Sequence, residues 1–141
     1  MADQKPQKYS KPLPHIDEES RPWWEAAQRH ELYVQKCRDC GELRYYARAQ
    51  CARCLSPRTE WIKSRGRGKV YTFTATYQNQ APGWRESLPY IMAYVELDEG
   101  LKMMTNLVDC RPEEVKIGMP VEVVFDDVTP EVTLVKFRPA K

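Results

Sequence analysis

Four cysteines stand as two Cys-x-x-Cys pairs, Cys37-Arg38-Asp39-Cys40 and Cys51-Ala52-Arg53-Cys54, with ten residues between the pairs. A Cys-x-x-Cys turn aims two thiolates at one point. Two such turns bring four sulfurs to the corners of a tetrahedron, about 2.3 Å from a central zinc. A shell of four sulfurs leaves no open position for a substrate, so the spacing predicts a structural Zn(2+) held by Cys37, Cys40, Cys51 and Cys54. Gly41 follows the first pair, where a tight knuckle favours positive φ. The competing reading is a degenerate ribbon of free thiols, which the presence of all four sulfurs disfavours. A redox pair is disfavoured too, because no βαβ pattern surrounds either motif.

The fifth cysteine, Cys110, stands apart. A catalytic thiol needs a base within hydrogen-bond reach. The two histidines, His15 and His30, lie far away in sequence, before the cysteine module. Cys110 is therefore read as a small apolar residue, and no catalytic residue is assigned. No Gly-rich phosphate loop, His-Glu metal pair, Ser-His-Asp set or carboxylate dyad is present. Basic and aromatic residues cluster in and beside the module: Arg44, Tyr45, Tyr46 and Arg48 inside it, Arg65, Arg67 and Lys69 after it. They can hold phosphates and stack on a base. A solvated ribbon surface with tyrosines packed on its small core accounts for the same residues equally well. Trp84 falls in a polar linker, where an aromatic is often a binding anchor. Trp23 and Trp24 are adjacent, and neighbours on a helix cannot share one face. One of them is expected to meet something other than the chain's own core.

The elements that must position these residues follow from pattern. Residues 1–16, with Pro6, Pro12 and Pro14, read as a flexible tail. Residues 17–31 read as a docking helix, capped by Asp17 or Ser20 and tolerant of Pro22 in its first turn. Such a helix is too short to stand alone in water, so it must dock. Residues 32–63 form the ribbon, whose short aromatic and branched stretches frame two tight turns. SRGRG at 64–68 reads as a flexible basic connector. Residues 64–141 then carry five strand-like stretches, at 69–77, 90–97, 101–108, 121–125 and 132–138. Asp98-Glu99-Gly100 is a hairpin signal. Pro112, Glu113 and Glu114 can open a turn of helix that Gly118 ends. Five strands with a small helix between the third and fourth match a five-stranded, partly open OB barrel. The fold class is all-β: an N-terminal helix, a rubredoxin-like four-Cys zinc ribbon, then an OB-fold.

Composition limits the function classes. The chain has 141 residues, 42% hydrophobic and 30% charged, as in a soluble globular protein. No apolar run is long enough to span a bilayer, and the polar N-terminus MADQKPQKYSKPLPH lacks the apolar stretch of a secretory signal. A cytoplasmic protein is expected, in which disulfides are disfavoured. Residues 1–70 carry 15 basic and 9 acidic side chains, and residues 71–141 carry 7 and 11. The excess on the first half suits a phosphorylated small molecule or an acidic protein. A dedicated nucleic-acid binder is usually more basic.

The order of parts then resembles one family. The helix and first knuckle PWWEAAQRHELYVQKCRDCG, the four-Cys ribbon, GRGKVYTFTATY, PYIMAYVELDEGLKMMTNLV, IGMPVEVVF and a closing VKFRPA are similar to the acyl-CoA-associated zinc-ribbon/OB-fold proteins. These were long catalogued as a domain of unknown function, and the likeness covers residues 17–140. It implies a non-catalytic accessory subunit in a heteromer with a thiolase-type catalytic chain. A coenzyme A thioester would be the shared ligand, bound or enclosed at the partner interface. One subgroup resembles the small subunit of benzoylsuccinyl-CoA thiolase, which implies aromatic compound degradation. On this reading Arg44, Tyr46, Arg48, Arg65 and Arg67 are the CoA-binding candidates, and Trp23, Trp24 and Trp84 the partner-interface candidates. The alternatives are an accessory subunit of an enoyl-CoA hydratase-like enzyme and a nucleic-acid-binding ribbon/OB module.

Overall fold

The structure is a computed structural model and describes residues 9–141. Its first regular element is helix α1, Arg21–Gln28, shorter than the 17–31 expected. Asp17 and Ser20 form a turn ahead of it. Asp17 Oδ1 accepts from Ser20 N at 2.8 Å and from Ser20 Oγ at 2.7 Å, so both polar residues are spent before the helix starts. At the other end His30 takes a left-handed conformation, φ 59°, which stops the helix. The helix buries Trp23, Ala26 and Ala27.

The ribbon is a three-stranded antiparallel sheet of β1 (Tyr33–Cys37), β2 (Leu43–Arg44) and β3 (Thr59–Lys63), in the order β2-β1-β3. Val34 and Cys37 on β1 are fully buried. The second unit is a closed barrel of β4 (Arg67–Thr76), β5 (Tyr90–Leu97), β6 (Lys102–Leu107), β7 (Pro120–Asp127) and β8 (Thr133–Pro139). Its order is β4-β5-β6-β8-β7. This is the OB arrangement. A 3-10 turn, Pro112–Glu114, sits between β6 and β7 where a short helix was expected. Alternation along β5 sends Ile91, Ala93, Val95 and Leu97 inward, where they meet Met103, Val121 and Phe137.

The connector between the two units is not flexible. Ser64 is buried and its hydroxyl donates to Glu99 Oε1, which also accepts from Arg65 N at 3.1 Å. Gly66 takes φ 68°, and a side chain there would run into Val123. Small size, which suggested freedom in the sequence, here serves close approach to the barrel. Part of the expected tail is likewise held in place. Residues 9–16 form no helix or strand but lie against the barrel, where Lys11 Nζ donates to Ser87 Oγ at 2.8 Å. The remainder of that tail falls outside the described residues.

Candidate metal centre and aromatic groove

The two Cys-x-x-Cys turns fold as matching knuckles. Gly41 N donates to Cys37 O at 3.0 Å, and Leu55 N donates to Cys51 O at 2.8 Å. Both closing residues are left-handed, with φ 78° at Gly41 and 64° at Leu55. The knuckles bring the four Sγ atoms within 4.8 Å of one another, with Cys37–Cys54 and Cys40–Cys51 each at 3.6 Å. Four sulfurs at zinc-binding distance stand about 3.8 Å apart along each tetrahedral edge. The donors therefore fit zinc in number, chemistry and spacing. The N–H groups of Cys40 and Asp39 point at Cys37 Sγ and bring its thiol down to about 6. The N–H groups of Cys54 and Arg53 lower Cys51 likewise. Cys40 and Cys54 shift the other way, raised by burial and by the neighbouring thiols, so in the metal-free cluster the four sulfurs share protons that a metal would displace.

The three tryptophan candidates converge. Trp23, Trp24 and Trp84 line one groove of about 310 Å³ together with Tyr45, Tyr46 and Tyr90. Helix, ribbon and barrel each supply part of its wall. Trp23 is 8% exposed and belongs to the core, and Trp24 packs edge-on against it at 4.7 Å. Tyr45 meets Trp23 at 5.9 Å and Tyr46 at 4.6 Å, and Tyr46 is 56% exposed. Burial pushes the Tyr45 hydroxyl up to about 12. The sequence offered no sign that Met92, Met104 and Leu134 complete this groove. Only barrel closure brings them to the helix.

The basic candidates separate into two kinds. The guanidinium of Arg44 donates to Gln35 Oε1 at 2.9 Å, Thr59 Oγ1 at 2.7 Å and Arg48 O at 3.0 Å. These bonds, made by Nε and Nη2, tie the ribbon together, while Nη1 is buried and has no partner among the described residues. Arg48 is exposed, with Nη1 on its neighbour's carbonyl, Ala47 O, at 2.8 Å. Arg65 and Arg67 are exposed and, among the described residues, have no carboxylate within 4.0 Å. Cys110 is half-buried at the rim of a second cavity. Burial, with Glu114 and Asp109 nearby, pushes its thiol up and away from a nucleophilic thiolate. Among the described residues no helix is long and apolar enough to cross a membrane.

Two family models match consecutive stretches of the chain. The ChsH2 rubredoxin-like zinc ribbon domain matches residues 24–60, and the ChsH2 C-terminal OB-fold domain matches residues 61–126. A DUF35 domain-containing scaffold protein of Methanocaldococcus jannaschii is 39% identical over 108 residues, covering 74% of each chain. The chain belongs to this DUF35 family of paired zinc-ribbon and OB-fold domains. A probable enoyl-CoA hydratase alpha subunit of Thermomonospora curvata is 37% identical over 140 residues, which is 99% of this chain but 43% of that relative's length. The benzoylsuccinyl-CoA thiolase subunit BbsA of Geobacter metallireducens is 36% identical over 72 residues, 51% of this chain and 47% of that one. A solved structure described as Ltp2-ChsH2(DUF35) aldolase superimposes with a TM-score of 0.82 at 36% identity, over 92% of this chain and 100% of that chain.

Proposed function

We propose that the chain is a zinc-stabilised, non-catalytic accessory subunit of an acyl-CoA thiolase, and that it helps bind or enclose the CoA thioester at the partner interface. The observation that carries this reading is the convergence of Trp24, Tyr46 and Trp84 on one groove between helix, ribbon and barrel. A groove with so much aromatic surface is a docking surface. The names of the relatives support a catalytic partner of thiolase, aldolase or hydratase type. The partner supplies the catalytic Cys and His, and this chain supplies interface and charge. Arg65 and Arg67, which among the described residues have no carboxylate within 4.0 Å, are the leading CoA-phosphate contacts in this reading. Arg48 and Tyr46 of the ribbon are the further CoA-binding candidates. Arg is suited to phosphate by its planar fork of donors.

A hydratase partner is the second reading, because the relative aligned over 99% of this chain is named as a hydratase subunit. The experiment is reconstitution. The chain is copurified with its partner, the partner is identified by mass, and the complex is assayed for thiolysis of a 3-oxoacyl-CoA and for hydration of an enoyl-CoA. Thiolysis only in the complex supports the proposal, and hydration instead selects the second reading. Turnover by the isolated chain at the rate of the complex overturns both.

A further inference from the structure

A cavity of about 600 Å³ lies between the barrel and the segment at residues 9–14, and none of the four ribbon cysteines lines it. A space of this volume is large enough for a small organic molecule. Its floor is the barrel: Tyr90 and Ile91 of β5, Leu107 of β6, and Leu134 and Lys136 of β8. Its outer wall is the chain's own Lys11, Pro12, Leu13 and Pro14. Gly83 lets that strap come close, because a Cβ there would run into Ser10 O. The aromatic groove is a neighbour and shares Trp84, Tyr90 and Lys136, but residues 11–14 do not line it.

The walls are of two kinds. Ile91, Leu107, Leu134 and the Trp84 and Tyr90 rings, 5.4 Å apart between centroids, give apolar and aromatic surface. The charged groups are Lys11, Lys136 and Asp109. Lys136 is already paired with Asp126 at 2.6 Å. Lys11 is half-buried and, among the described residues, has no carboxylate within 4.0 Å. Its Nζ donates to Ser87 Oγ at 2.8 Å and stands 5.3 Å from the Trp84 ring centroid and 5.9 Å from that of Tyr9. An ammonium has three donors, so two remain after the serine bond. A cation set among aromatic rings without a counter-ion is poised for an anion. The Tyr90 hydroxyl accepts from Asn79 Nδ2 at 3.1 Å and keeps its own proton to donate.

We propose that this cavity binds a small carboxylate with an apolar, ring-sized body, the carboxylate on Lys11 and the body against Trp84, Tyr90 and Leu134. One uncompensated cation matches one negative charge. A phosphate dianion would call for a second, and Lys136 is taken by Asp126. The apolar walls supply the rest of the affinity. Asp109 on the rim repels the headgroup and so fixes the direction in which the ligand lies. A free acid and the far end of a carboxylate-bearing acyl chain offer this same chemistry. The site is independent of the accessory role.

Cys110 lines the cavity and reports on its occupancy. In the zinc-loaded full chain the other four cysteines are held as ligands, so alkylation of Cys110 by iodoacetamide, located by peptide mass, reads this cavity. The probe is 3-phenylpropanoate. At about ten times its Kd it is expected to slow alkylation about tenfold. The uncharged 3-phenylpropanamide should bind about tenfold more weakly or worse. Lys11→Met should erase the preference for acid over amide, and Lys11→Arg should keep it. Lys102→Met, outside the cavity, should leave protection unchanged. Glutaryl-CoA separates the two sources. Protection by it as well as by the acid supports entry of an acyl chain's far end, and protection by the acid alone supports a site for free acids. Alkylation unchanged at about 10 mM acid, equal protection by acid and amide, or Lys11→Met behaving like wild type overturns the proposal. The comparison of acid with amide uses the unaltered chain, so it decides the question even if Lys11→Met detaches the strap.

Discussion

A zinc ion bound by four thiolates carries an excess of two negative charges, and the ribbon answers them locally. The N–H groups of the first knuckle point at Cys37 Sγ, and Arg53 N reaches Cys51 Sγ at 3.4 Å. Outer-shell donors of this kind hold the ligand sulfurs in place. Binding in such sites contributes about 10–16 kcal/mol to folding, against about 5–15 kcal/mol of total stability for an ordinary domain. Cys37→Ser or Cys51→Ser is therefore expected to give zinc-free protein with an unfolded ribbon. Elemental analysis should find about one zinc per wild-type chain. Iron, or folded wild-type protein without metal, would contradict this. The knuckles also permit a comparison of backbone against contact. A Cβ at Gly41 would meet nothing within 4 Å, so Gly41→Ala tests the left-handed φ alone. It should cost about 1 kcal/mol in urea unfolding with zinc retained. Leu55, in the matching position, carries that strain already, and Leu55→Gly should stabilise by up to about 1 kcal/mol.

Helix α1 is only eight residues long and is held from both ends of its environment. Trp23 enters the core. Gln28 Nε2 donates to Glu131 O at 2.6 Å, and His30 stacks on Phe125 at 5.2 Å with its Nε2 on Asp127 at 3.0 Å. Asp127 also accepts from Thr133 Oγ1 at 2.6 Å. Those bonds, Thr133 first and His30 second, hold its carboxyl below the usual carboxylate range. A carboxylate with a lowered folded value stabilises above its unfolded value, about 3.9, and that contribution is lost as pH falls through the lowered one. Asp127→Asn should therefore flatten the acid limb of the stability curve below about pH 4 and leave the limb above it parallel to wild type. An unchanged acid limb would show that the latch contributes nothing. The segment at residues 9–14 can be probed in the same way. Gly83→Ala must displace Ser10, and should expose the strap to proteolysis while the barrel keeps its melting transition.

As a whole, the molecule makes one core from three parts. Trp23 of the helix, Leu32 and Val34 of the ribbon and Val70, Val95 and Phe137 of the barrel belong to a single buried cluster. Ribbon and barrel should therefore unfold together, and chelating zinc should lower the thermal midpoint of the barrel as well as the ribbon. Two separate calorimetric transitions, with the barrel's unmoved by chelator, would contradict this. At this scale the proposed CoA contacts are also tested. Arg65→Glu with Arg67→Glu should weaken CoA binding by the reconstituted complex without dissociating it, since both side chains are exposed and lie away from the aromatic groove.

Some of this was determined by the amino-acid sequence alone. The ligand set Cys37, Cys40, Cys51 and Cys54 was legible because a Cys-x-x-Cys turn is local geometry. The barrel strands were legible because alternation such as that of Ile91, Ala93, Val95 and Leu97 reports one buried face within a few residues. The reversal at 98–100 was legible for the same reason, with Gly100 at φ 101°. Long-range approach was not legible. Gly66 read as part of a flexible connector, and the structure uses its missing side chain to let Val123 come close, as Gly83, which the sequence did not single out, lets Ser10 come close. Arg44 read as a phosphate-binding candidate, and its Nε and Nη2 also bond Gln35 and Thr59, which only sheet registry brings to it. The groove was legible only as scattered tryptophans. Trp24, Tyr46, Trp84 and Met104 become one surface because the helix docks on β8 of the barrel and β1 of the ribbon at once. Pattern along a chain records which face of an element is apolar, whereas which faces meet is settled by packing among segments far apart in sequence.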